Sequence, residues 1–459
     1  MPHLQLLDLS HNSLYELDFD TFRNTKKLQV LFVPFNRIAE IPNDLFRFLS
    51  SLRIVDFSHN RLRSLPDNLF REAGLERLDV SHNLLGKLPL TSLSVASADT
   101  LCELDLSWNS ISSLSHGGIL SQFKSLSWLD LSYNRLGQVD AGSFKGLPRL
   151  SSLNLGHNNQ LTLETSGLSF QGLEYTLLHL NLDNVSLSQI PTLFTPNLVT
   201  LSLAHNSLPT VSPEIAGNVS SLRHLNLDHN DLSVVPIVTH SLTELTYLSM
   251  VANPISRHFD NIDDEFMGLL PSKLHNLTLT GPGLKKLGSG MFQGVNSPVF
   301  HLCLRNTSLM KISSDIFKNM VAVRNLSVDV RNNPFLKNLQ NPSTGEKPNQ
   351  PKSTFLTDLK LTGGKWSCDC DLGWVEVWQR KRRQYLCGSS PSVSLPESEF
   401  QYSCKHTSDD FRTTLCVNKN NRSLVDVLKS DIECGWSCGS LQHFLTGLIV
   451  CPVLINFLV

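Results

Sequence analysis

The chain has 459 residues, 41% of them hydrophobic and only 17% charged, with a formal net charge of -2. That is apolar enough for a large core, and too nearly neutral for its overall field to draw in nucleic acid or anionic lipid. Recognition of any partner therefore falls to local surface chemistry. The first residues, MPHLQLLDLS, read directly as a strand, without the basic and then apolar stretches of a secretory signal. Set against the extracellular features further along, this predicts a chain that lacks its N-terminal portion.

From Leu4 onward the pattern LxxLxLxxNxL recurs. Clear copies are LQLLDLSHNSL from Leu4, LRIVDFSHNRL from Leu52, LSWLDLSYNRL from Leu126, LVTLSLAHNSL from Leu198 and LRHLNLDHNDL from Leu222. Others begin at Leu28, Leu75, Leu101, Leu150, Leu177 and Leu245, with degenerate copies at Leu274, Val299, Val323 and near Phe355. About 15 copies, mostly 23 to 26 residues apart, predict an α/β leucine-rich-repeat solenoid with a curved parallel sheet. The fourth and sixth positions lie two apart on a short strand and so face one way, into the core; the residues between them face out. No repeat can bury its leucines alone, so stacking builds the core.

Columns follow from the stacking. Asn12, Asn36, Asn60, Asn83, Asn109, Asn134, Asn158, Asn206, Asn230 and Asn253 follow the strands. An amide donates and accepts, so it can satisfy the backbone groups left where the chain turns inward. This ladder lapses at Val185, Pro282 and Thr307. Phe22, Phe46, Phe70, Phe144, Phe292 and Phe317 should form a spine under the convex side. Asp8, Asp56, Asp79, Asp105 and Asp130, continued by Asn154, Asn181 and Asn226, line the outward face. They read as solvated consensus residues rather than a calcium site. His11, His59, His82, His157, His205 and His229 likewise read as consensus turn residues rather than ligands or a pH switch.

Exposed aromatics carry more information. Trp108, Trp128 and Tyr133 fall at outward positions of neighbouring repeats and are the candidate partner-binding residues, since aromatics concentrate at interface cores. Phe32 and Phe35 are similar but stand near the start, where a further repeat could cover them. Cys102 and Cys303 lie eight repeats apart, beyond disulfide reach. Six glycosylation sequons occur, at Asn184, Asn218, Asn276, Asn306, Asn325 and Asn421. No nucleophile elbow, phosphate loop, HExxH or dinucleotide fingerprint is present, so no catalytic, cofactor or metal residue is assigned and no enzyme is expected.

After residue 333 the period breaks into the polar loop NPSTGEKPNQPKS, which precedes one last repeat. Eight of the ten cysteines lie beyond position 367, which predicts a disulfide-stapled module in an oxidising compartment. The run KWSCDCDLGWVEVWQRKRRQYLC resembles the cysteine-rich C-terminal cap of extracellular leucine-rich-repeat proteins, through Trp366, Cys368, Cys370, Leu372, Trp374 and Cys387. That resemblance implies Cys368 paired with Cys387, and Cys370 with Cys404 or Cys416. The basic run Arg380, Lys381, Arg382, Arg383 reads as the solvated face of a cap helix rather than a protease site.

The last 16 residues, from Phe444, are mostly apolar, too short for an ordinary span and followed by no basic stop. They read as a glycolipid-anchor signal, with Cys434, Gly435 and Ser437 as attachment candidates; a membrane helix is the alternative. The division expected is residues 1–365 solenoid, 366–433 cap and stalk, and 434–459 anchor signal or membrane tail. Repeats, cap and tail together resemble the chaoptin family of insect photoreceptor surface proteins. The resemblance implies homophilic adhesion between apposed microvillar membranes, with the partner a second copy or another cell-surface protein, attachment to the membrane through the tail, and no nucleic acid. The rivals are a Toll-like receptor ectodomain, which needs a cytoplasmic domain, and a secreted ligand, which needs no tail.

Overall fold

The computed structural model describes residues 1–93, 95–114, 119–164, 166–255, 270–288, 290–343, 354–369, 372–387 and 409–430. Fifteen parallel strands stack in chain order, from Leu6–Asp8 to Phe355–Lys360. Most are three residues long, and adjacent strands keep one register: Leu78 faces Leu104, Leu104 faces Leu129, and Leu129 faces Leu153. The central leucine points into the core and its two flanking residues point out, as the pleat requires. Leu104, Leu129 and Leu153 are accordingly buried, together with the leucines two residues further on, such as Leu106, Leu131 and Leu155.

Among the described residues the convex side of the repeats holds short elements, including the helices Val95–Thr100, Ile215–Asn218 and Asp315–Lys318. Beneath them runs the phenylalanine spine. Phe22, Phe46, Phe70, Phe144, Phe292 and Phe317 are all buried, and Phe46 lies 5.7 Å from Phe22 and 5.3 Å from Phe70 between ring centres. Phe123 and Phe170 also belong to it; both are buried.

The asparagine ladder has a direction. Asn134 accepts from the Ile111 N–H (2.9 Å) and donates to the Leu106 carbonyl (2.9 Å), both in the repeat before it, and to Leu131 and Ser132 in its own turn. Asn36, Asn60, Asn83, Asn109, Asn158, Asn206 and Asn230 repeat the pattern. At the gaps the chain finds other solutions. Val185 donates its N–H to Asn206. Thr307 offers both its N–H and its hydroxyl to Asn333, a fully buried ladder residue that continues the column past the irregular stretch. Beside Pro282, Gly281 adopts φ +135°; a Cβ there would lie 2.6 Å from the Asn253 carbonyl oxygen.

The final repeats have no asparagine behind them, and the cap supplies indoles instead. Trp366 donates to the Leu361 carbonyl, Trp374 to Leu339 and Trp378 to Leu356, at 2.7–3.0 Å. Cys368 is disulfide-bonded to Cys416, with 5.4 Å between the Cα atoms. The pairing of Cys368 with Cys387 and the alternative of Cys370 with Cys416, both implied by the family resemblance, are thereby corrected. Cys416 begins a short turn whose backbone bridges Trp366, and Asn418 accepts from the Cys368 N–H at 2.9 Å, so this turn rather than the helix end lies against Cys368. Cys387 ends the helix Trp374–Cys387, whereas Cys370 and Cys404 lie outside the described residues. The basic run is not uniformly solvated. Arg380 pairs with Glu376 on the surface, but Arg382 lies over the Trp378 ring, donates to the Thr357 carbonyl at 2.8 Å, and has its pKa lowered by burial.

Candidate functional site

Two parallel columns of side chains lie next to each other on the first half of the solenoid. The first is the carboxylate column of the strand face. Asp56, Asp79, Asp105 and Asp130 occupy in-register positions on consecutive strands. They are not freely solvated consensus residues: Asp79 is buried, and each carboxylate accepts the N–H of the serine two residues on, at 2.8–3.0 Å. Asp105 sits in the middle of the run. Burial and then its neighbours Asp79 and Asp130 push its pKa up to about 6, against the hydrogen bonds from Ser107. Asp56 is also raised, chiefly by burial. The run ends where the column turns to amides: Asn154 donates to Asp130 at 2.8 Å. Among the described residues, no group of three or more His, Cys, Asp or Glu side chains could hold a metal ion.

The second column stands where the chain leaves the strand, at the residue just before each ladder asparagine. His11, Phe35, His59, His82, Trp108, Tyr133 and His157 all adopt left-handed backbone there, with φ between 51° and 59°. Bulky L-residues rarely do so. The turn is held by one hydrogen bond to the next repeat, for example Trp108 N–H to the Ser132 carbonyl and His82 N–H to Ser107, both 2.9 Å. Identical backbone in each repeat aims the side chains alike, and the seven rings form one continuous stack. Successive centres are 3.8–4.9 Å apart and successive planes within 13° of parallel. The faces cover one another, so the stack offers solvent its edges. Phe35 and Trp108 remain 45% and 47% exposed, and a shallow groove of about 550 Å³ runs along the stack from Phe35 to Trp108. Burial, and then His59, lowers the pKa of His82.

The stack stops at Asn184, which holds the same turn position with φ 52° and brings its side-chain nitrogen 3.1 Å from His157 Nδ1. His205 and His229 form a separate stacked pair beyond it.

Sequence-predicted binding residues therefore divide. Trp108 and Tyr133 are neighbours in the stack, 3.8 Å apart. Trp128 belongs to the strand face, half-buried in register between Glu103 and Ser152. Phe35 is in the stack, and Phe32 is on the strand face. Read by residue type, the histidines and the aromatics look like two features; their shared place before the ladder asparagine is the signal that joins them.

The sequons are spread from Asn184 to Asn421. Asn276 and Asn325 lie outward on strands, Asn306 and Asn421 are exposed turn residues, Asn218 ends a short helix, and Asn184 caps the stack. Cys102 and Cys303 are free thiols. Cys434, Gly435 and Ser437 lie outside the described residues, among which no helix is long and apolar enough to cross a membrane.

The chain belongs to the leucine-rich-repeat proteins: the family described as Leucine rich repeat matches residues 3–25, 26–85, 99–161 and 196–255. Within them it is chaoptin-like. It is 66% identical to chaoptin of Tribolium castaneum over 396 residues, covering 71% of this chain and 51% of the relative. Against chaoptin of Drosophila melanogaster the identity is 39% over 467 residues, with 79% and 35% covered. The chain thus spans about half or less of the length of these relatives. Among solved structures, a TLR13–ssRNA13 complex is similar, with a TM-score of 0.65 and 25% identity over 92% of this chain and 56% of that one.

Proposed function

We propose that the chain is the adhesive, membrane-proximal part of a cell-surface protein that binds further copies of itself on an apposed membrane, as between photoreceptor microvilli. The observation that carries this reading is the chaoptin similarity over most of the chain, joined to a surface with exposed aromatics. In this reading the repeats present a protein-binding face, the six sequons carry glycans, the cap seals the membrane-proximal end, and the residues beyond about 434 direct a glycolipid anchor. A nucleic-acid partner, such as the ssRNA13 of the TLR13 complex, has less support. A polyanion needs basic side chains along its path, and the strand face from Asp56 to Asp130 is a row of carboxylates joined by Glu103.

The test is aggregation of non-adhesive cells displaying the full-length form. Expressing cells should gather and exclude non-expressing ones, and phosphatidylinositol-specific phospholipase C should release the protein and disperse them. Free mixing with non-expressing cells would remove the homophilic reading. Aggregates that persist, with the protein retained after verified lipase action, would remove the anchor.

A further inference from the structure

Two rings flank one of the sequon asparagines on the strand face. Asn276 opens the strand Asn276–Leu279, half-buried and pointing outward. Its in-register neighbour on one side is Tyr247 and on the other His301. Tyr247 is 36% exposed, and His301 is exposed as well. The two stand two strand spacings apart, about 9–10 Å, with Asn276 between them. The row continues past Tyr247 to His224, whose ring centre lies 5.9 Å from that of Tyr247 at a tilt of 33°. Thr278, the hydroxyl residue of the sequon, faces outward on the same strand as Asn276. The second sequon of the strand face is set differently: Asn325 has Val299 and Phe355 in register, and Phe355 is buried.

We propose that Tyr247 is the seat of the glycan on Asn276: the first N-acetylglucosamine lies on the Tyr247 ring, walled on its other side by His301, and the sugar chain runs along the strand face toward His224. The proposal rests on the reading above that the sequons carry glycans, and names where one of them lies. A pyranose turns a face of C–H groups to one side, and laying it on an exposed phenol ring removes apolar surface of both from water. Its N-acetyl group and hydroxyls donate and accept, and the Tyr247 and Thr278 hydroxyls and the His301 imidazole offer partners of both kinds. The sugar is held covalently one strand away, so its effective concentration at the ring is high and a weak contact suffices. Seated there, the glycan covers the strand face from His224–Asn226 to Val299–Cys303 and closes it to a protein partner. The strand face before Asn184 carries no sequon and stays open.

Site-resolved trimming tests the seat. The full chain is produced in cells that add only high-mannose glycans and is treated, folded, with endoglycosidase H, which cuts between the first and second N-acetylglucosamine. Glycopeptide mass spectrometry reads occupancy and rate at each site. Asn276 should be trimmed roughly five- to tenfold more slowly than the exposed turn residues Asn306 and Asn421, the factor that one ring contact gives to a seated glycan. In unfolded protein the three rates should be equal. Tyr247→Ala should bring Asn276 to the rate of Asn306, whereas Tyr247→Phe, which keeps the ring, should preserve the protection. A second measurement leaves the ring in place: Thr278→Ala removes the sequon, and should raise hydroxyl-radical labelling of Tyr247 while the exposed Tyr15 and Tyr175 are labelled as before. An Asn276 that carries no glycan would defeat the glycan reading at this site, and this inference with it. With Asn276 occupied, trimming as fast as at Asn306, protection that survives Tyr247→Ala, or Tyr247 labelling that ignores Thr278→Ala each overturns the seat alone.

Discussion

Replacing Asp105 with Asn should stabilise the protein at neutral pH and leave it unchanged in acid. Asp105 shares its column with Asp79 and Asp130, and its pKa is raised to about 6, above the value near 3.9 of an unfolded chain. The folded state therefore holds a proton that the unfolded state releases between about pH 4 and pH 6. Above pH 6 the carboxylate is ionised in both states, and folding bears the whole cost of a charge set beside two others. Two pH units correspond to at most about 3 kcal/mol; coupling within the column reduces this to about 1–2 kcal/mol. Asparagine keeps the acceptor for the Ser107 N–H, as Asn154, Asn181 and Asn226 do for their own turns at 2.8–3.0 Å. Long repeat arrays need not unfold in one step, so amide hydrogen exchange is the better assay. At pH 7.5, exchange in Arg77–Asp79, Glu103–Asp105 and Trp128–Asp130 should slow roughly 5- to 30-fold relative to the parent. At pH 4 the two proteins should match. A gain of equal size at both pH values, or faster exchange at pH 7.5, would refute the charge argument.

Two further outcomes are expected. Asn134→Leu removes one acceptor and one donor from groups sealed inside the sheet and should cost about 1–3 kcal/mol, whereas Asp130→Asn on the outward face should cost little; equal losses in thermal melts would mean that the two sides are confused. Cys416→Ser should loosen the cap by about 2–4 kcal/mol while the early repeats keep their protection, with protease cleavage confined to residues after about 366; uniform loss of protection along the chain would contradict an independent staple.

The repeat period made the sheet, the buried leucines, the ladder and the spine legible, because each is set by spacing alone. Asn333 escaped that reading since its neighbours Gly281 and Thr307 break the pattern, and only the fold shows Thr307 bonded to it. The stack escaped for a different reason. His82, Trp108 and Tyr133 differ in chemistry but share one backbone conformation, and backbone conformation, not residue type, aligns their rings. The disulfide depended on which segment folds back onto the last repeat, a matter that cysteine spacing does not contain.

The ladder has a mechanical consequence. Each asparagine seals the repeat before it, so the structure is protected from one side only. Peeling a repeat from the N-terminal end opens bonds between repeats, such as Arg135 N–H to the Ile111 carbonyl, but leaves the asparagine seal of the coil that remains in place. Peeling from the other end strips the seal from the repeat beneath, leaving an N–H and a carbonyl bare at every step. Under tension the molecule would therefore give way differently at its two ends. On the C-terminal side a pull beyond Cys416 passes through the disulfide to Cys368 and must then draw three indoles off their carbonyls before the last repeats open.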